Sequence, residues 1–159
     1  MPKPPVPPTD FEARAHALVG RLVMAYSRLD VNLALHVASW RGNELRKETL
    51  ASLENTSFKI KLDLVIPAVR QEYGDNPECI AGWQEWLQEA DKLRCKRNDL
   101  IHGRWGIDER RAVVINIIGL PGLPAQTEIA YTLDELTDEV ERANWVSNEF
   151  WKLKLRWPV

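Results

Sequence analysis

Few of the usual signatures of chemistry are present in this chain. Cysteine is scarce, with only Cys79 and Cys95. They fall sixteen residues apart in what the pattern predicts as one helix. At ~1.5 Å of rise per residue that separation is roughly 24 Å, too far for a disulfide within the helix. Neither has a CxxC or Cys/His neighbour pattern, which argues against a zinc site, and reduced thiols suit a cytoplasmic setting. Of the three histidines, His16 and His36 are distant in sequence and form no ligand pair. No apolar run approaches the ~20 residues of a membrane span. The opening residues lack the apolar stretch of a secretory signal. Excess positive charge is missing too: the formal net charge is −2, so any surface for an anionic polymer must be local. There is no G-x-S-x-G, P-loop or Rossmann glycine pattern, which leaves hydrolase-triad and nucleotide-fold readings without support.

What remains is an ordinary globular composition, 45% apolar and 28% charged over 159 residues, enough for one substantial core. Five of the first eight residues are proline, so residues 1–9 are expected to form an extended, disordered tail. Residues 10–159 read as a single helical domain. Leu18, Leu22, Ala25, Leu29, Leu33 and Val37 recur at three- and four-residue steps and predict a helix from Phe11 to about Trp40, closed by Arg41-Gly42-Asn43. A short helix and a loop are expected between Glu44 and Thr56. A further helix should start at Ser57 and end near Gly74, kinked or restarted at Pro67. Asn76-Pro77 then begins a long helix that Gly103 ends after His102. Trp105 to Asp108 and Ala112 to Ile118 have β character, with Glu109-Arg110-Arg111 as the hairpin connection and Glu128 to Tyr131 as a third short strand. Thr132, with Glu135 three residues on, is a capping box for a last helix reaching about Trp157. The expected fold is all-α, a four-to-five-helix up-and-down bundle with a small β-hairpin insertion before the last helix.

The chemistry concentrates at Arg97-Asn98-Asp99-Leu100-Ile101-His102-Gly103-Arg104-Trp105. Histidine exchanges a proton near neutral pH, and arginine holds a fixed, forked charge that suits a phosphate oxygen. Asn98 and His102 are four apart and share one helical face. Arg97 and His102 are five apart, about 140° around the axis. From Lys92 to Arg111 there are seven basic and three acidic residues, a local positive excess.

Arg97 to His102 followed by Gly103 resembles the R-x4-6-H signature of the HEPN superfamily. Asp30 in mid-helix, the Ser57-Phe58-Lys59-Ile60 helix start, Gly103-Arg104-Trp105 leading into a hairpin and the Thr132-Leu133-Asp134-Glu135-Leu136 start look similar to that family as well. Organisational likeness spans roughly residues 10 to 155, but only the motif is specific. The resemblance implies a metal-independent endoribonuclease of a toxin–antitoxin, abortive-infection or other anti-phage system. It implies no cofactor, an RNA substrate, a homodimer, and an antitoxin or other defence-system protein as partner. Arg97, His102 and Asn98 would be catalytic, with Asp30 in support. Lys96, Arg104 and Trp105 would contact RNA, along a basic track that also includes Lys92 and Arg94. Some toxin relatives carry a tyrosine two residues after the histidine as a modification site. Here that position is Arg104, so such regulation is not supported.

Each residue also has a plain structural role open to it. His102 caps a helix end favourably, since its cation would meet exposed carbonyls. Arg97 could pair with Asp30 or with an acid of the last helix, and Trp105 could be core. Lysines and arginines of the track could balance the acidic last helix. A non-catalytic module using the same face for dimerisation or partner binding is the alternative function.

Overall fold

A computed structural model describes residues 9–40, 47–122 and 126–158. The proline-rich tail and the Arg41-Gly42-Asn43 stop lie outside those residues. The chain is mainly helical: α1 (Asp10–Trp40), α2 (Lys47–Glu54), α3 (Phe58–Asp63), α4 (Val65–Tyr73), α5 (Pro77–His102) and α6 (Leu133–Arg156). Between α5 and α6 runs an antiparallel sheet of three strands, β1 (Arg104–Asp108), β2 (Val113–Ile118) and β3 (Thr127–Tyr131), in that order. The expected class is thus the one observed, and the expected third short strand extends the hairpin into a three-stranded sheet.

Local rules account for most boundaries. Asn76 Oδ1 accepts from the amides of Glu78 and Cys79, and Pro77 follows at the first position of α5, where a missing N–H costs nothing. Thr132 Oγ1 accepts from the Glu135 amide while Glu135 reaches back to the Thr132 amide, completing the capping box of α6. The expected kink at Pro67 falls three residues earlier, at Leu64, where α3 ends and α4 begins. Proline fits the first turn of a helix, so Pro67 sits comfortably just after the break. Ala112, expected in β2, instead belongs to the turn with φ of +51°, where the Asp108 carboxylate accepts from the Arg111 amide.

The amphipathic stripes of α1, α5 and α6 bury one shared core that includes Leu29, Leu33, Trp83, Leu93, Val146 and Phe150. Trp86 donates its indole N–H to the Val146 carbonyl at 2.9 Å, fixing α5 against α6. His36 is sandwiched between Trp83 and Phe150, with ring centroids 5.5 and 5.2 Å away. The register pairs Trp105 with Asn116 and Val114 with Tyr131. Strand alternation therefore sets Trp105, Val114, Asn116 and Tyr131 on the sheet face turned to the helices. Among the described residues no helix is long and apolar enough to cross a membrane.

Candidate functional site

The motif occupies the last turns of α5, and the sheet fixes them. Asn116 Nδ2 donates to the Asp99 carbonyl at 2.8 Å, and Trp105 Nε1 donates to the Leu100 carbonyl at 2.7 Å. Two carbonyls of the final turn thereby gain side-chain partners from β1 and β2. Gly103 ends the helix as expected, yet its φ of −80° and ψ of 159° are ordinary extended values. Its need for glycine is steric: a Cβ there would lie 1.5 Å from Asn116 Oδ1.

Arg97 is half-buried. Its guanidinium stacks over the Tyr26 ring, 4.8 Å from the centroid, and its Nη1 donates to Asn98 Oδ1 at 3.0 Å. Its Nε is buried with no hydrogen-bond partner among the described residues. Tyr26 cannot offset that charge by ionising, because burial pushes its hydroxyl pKa from 10.0 to about 12, even with the nearby guanidinium pulling it down. Arg97 and Asn98 open on a cleft of about 330 Å³, shared with Tyr26 and Asp30 of α1, Ser57 and Lys59 at the start of α3, and Arg94.

Asp30 is in that cleft, but the pairing with Arg97 considered from the sequence does not occur. Lys61, its side chain only 4% exposed, places Nζ 2.7 Å from the Asp30 carboxylate. Nearby, Lys59 pairs with Asp63 at 2.8 Å and Arg94 with Asp91 at 2.7 Å. None of the ion pairs among the described residues includes Arg97.

His102 is exposed at the final position of α5 and is not among the residues lining the Arg97 cleft. One protomer therefore brings Arg97, Asn98 and Asp30 together, without His102. The remaining expected RNA contacts scatter. Lys96 turns toward the last helix, 3.1 Å from Glu139 and above the Tyr131 ring. Arg104 donates to Gln126 Oε1 at 3.1 Å, and Lys92 pairs with Glu89 at 2.6 Å. The basic track is thus split among different partners, of which Glu139 is a balancing acid of the last helix as foreseen, while Glu89 and Asp91 belong to α5 itself.

Trp105 is neither sealed in the core nor fully exposed. Its indole is tethered to α5, yet 37% of the residue stays exposed and lines a groove of about 690 Å³. The groove's other wall is α1, at His16 and Val19. Since Tyr26 meets Arg97 while Val19 shares a groove with Trp105, α1 and the end of α5 run side by side in opposite directions. Val23 and Ile101, both exposed, stand between the two openings.

Tyr26, Lys61 and Asn116 escaped the sequence reading. A signal existed for two of them. Tyr26 shares a helical face with Asp30, and Asn116 interrupts the apolar run Val113–Ile118. Among the described residues no three His, Cys, Asp or Glu side chains cluster in a way that could hold a metal ion. Comparison with family models, curated proteins and solved structures finds no match.

Proposed function

We propose that this protein is a cytoplasmic, metal-independent endoribonuclease of the HEPN type, working as a homodimer in bacterial defence or a toxin–antitoxin pair. The observation that carries the reading is the state of Arg97. It is a stacked, half-buried cation with no carboxylate partner among the described residues, an unsatisfied Nε, and an exposed histidine five residues further on. A guanidinium so placed lacks an anion, and a phosphodiester supplies one with matching bidentate geometry.

The two side chains do not share a cleft within one protomer, so the reading requires a second copy to bring its His102 to the first copy's Arg97. Exposed Val23 and Met24 on α1 and Ile101 beside His102 supply apolar surface for that contact. In the assembled site, one His102 removes the proton from the ribose 2′-hydroxyl. The 2′-oxygen attacks phosphorus while the bond to the 5′-oxygen breaks, and the other His102 protonates the departing oxygen. Arg97 stabilises the extra charge on the phosphorane-like transition state, and Asn98 holds the guanidinium through its Oδ1. The products are a 2′,3′-cyclic phosphate and a 5′-hydroxyl.

The test is cleavage of RNA by the purified full chain in EDTA, beside Arg97→Ala and His102→Ala. Wild type should cleave, and each variant should lose roughly 10²-fold or more while keeping its melting temperature. Three equally inert proteins would favour a non-catalytic dimerisation or partner-binding module. That alternative draws on Trp145, Trp151 and Leu155, which leave apolar surface exposed on α6 for an antitoxin or other defence-system protein.

A further inference from the structure

We infer that the cleft between α1, α3 and α5 holds a second phosphate of the RNA strand, next to the one at Arg97, and that Arg94 and Lys59 are the residues that grip it. The inference rests on the nuclease reading and adds residues to it, none of which belongs to the R-x4-6-H motif apart from Arg97 itself.

Three observations converge. Arg94 lies one turn before Arg97 on α5, and helix neighbours at that spacing have Cβ atoms about 5–6 Å apart. Lys59 faces the same cleft from α3. The opening thus presents three cations from two elements, with the Ser57 hydroxyl at its edge. Among the described residues the one carboxylate lining it, Asp30, is already engaged by the buried Lys61 ammonium.

The pairs that occupy Arg94 and Lys59 are of a kind that yields readily. Both are local, within one helix, and their acids are exposed: Asp63 at 59% and Asp91 at 38% of the side chain. Such pairs are worth little in water, so either cation can exchange its carboxylate for a phosphate at small cost. Arg97 offers an unmatched charge, and its two neighbours offer charges on loan to solvent-facing acids. Together they make an anion-binding row whose length suits a strand with several phosphates better than a lone phosphate ion. Lys92 and Arg142 form the natural contrast. They share Glu89 on another side of the molecule and line no part of this cleft.

Binding of a fluorescent, 2′-O-methylated oligoribonucleotide, which cannot be cleaved, tests the assignment by anisotropy across a salt series. The full chain is compared with the Lys59→Gln/Arg94→Gln double variant and a Lys92→Gln/Arg142→Gln double variant of equal charge change. The first double variant should raise Kd about tenfold or more. Its slope of log K against log salt should fall by about 0.7 for each lost phosphate contact. The charge-matched control should bind like wild type. Equal weakening by the two double variants, an unchanged Kd in the first, or no binding by the wild type would each overturn the subsite. A wild type that binds as expected yet never cleaves natural RNA would leave the subsite standing and remove the nuclease reading.

Discussion

Asn116 on β2 and Gly103 at the end of α5 are in contact so close that one of them must lack a side chain. The amide of Asn116 lies where the Cβ of any other residue at 103 would be, and it uses that position to donate to the Asp99 carbonyl at 2.8 Å. Gly103→Ala should therefore displace Asn116, break this bond and cost about 2–3 kcal/mol. Asn116→Ala alone should cost about 1–2 kcal/mol, and the double variant no more than Asn116→Ala. Urea denaturation of the four proteins gives the cycle. Additive losses would mean that the steric conflict is not why residue 103 is glycine.

Lys61 and Asp30 set the charge state of the cleft. With Lys61 in place, Asp30 is occupied and Arg97 stays available. Lys61→Met should cost about 2–4 kcal/mol, below the range for fully buried pairs because Asp30 is 33% exposed. On the nuclease reading it should also lower cleavage, since the released carboxylate becomes the nearest partner for Arg97. Adding Asp30→Asn should recover most of both losses. Melting curves and single-turnover rates on the two variants check this. Activity that stays low in the stable double variant would show that Asp30 acts on the substrate directly.

On the nuclease reading, a composite site has a signature in mixed dimers. Wild type co-expressed in equal amount with a chain carrying both Arg97→Ala and His102→Ala should show about a quarter of wild-type activity, because only the quarter of dimers with two wild-type chains holds both histidines. Sites built within a single protomer would keep about half.

His36 makes stability depend on pH. Burial between Trp83 and Phe150, with the Lys154 charge adding to it, lowers its pKa from 6.5 to about 3. The folded protein keeps this imidazole neutral where the unfolded chain takes up a proton. The stabilising contribution is thus complete above about pH 6.5 and declines as pH falls from there toward 3. From pH 7 to pH 5 the loss amounts to about 2 kcal/mol. The unfolding free energy should change between those two pH values by that much more in the wild type than in His36→Leu. Equal pH responses would contradict the argument.

Sequence alone disclosed much of this architecture because caps and periodicity are local. Asn76-Pro77, Gly103 and the Thr132–Glu135 box mark their boundaries within a few residues, as does the apolar spacing of α1. Pro67 signalled an interruption but not its place, since proline tolerates the turn that follows a break as well as one that precedes it. The site was legible only as a motif. Whether Asp30 would meet Arg97 or Lys61 depended on a residue thirty-one positions away, and nothing in the spacing of α5 reveals that Tyr26 lies under the guanidinium. Trp105 was readable as core or contact, and the structure shows it tethered to α5 with part of the residue exposed.

The indole of Trp105 has a consequence beyond packing. Together with Asn116 it harnesses β1 and β2 to the carbonyls immediately ahead of His102, so the sheet acts as a handle on that turn. A protein that seized the outer strands would twist the histidine out of alignment from a distance. On the nuclease reading, inhibition of this kind would need no plug in the cleft and would leave the docking of RNA untouched.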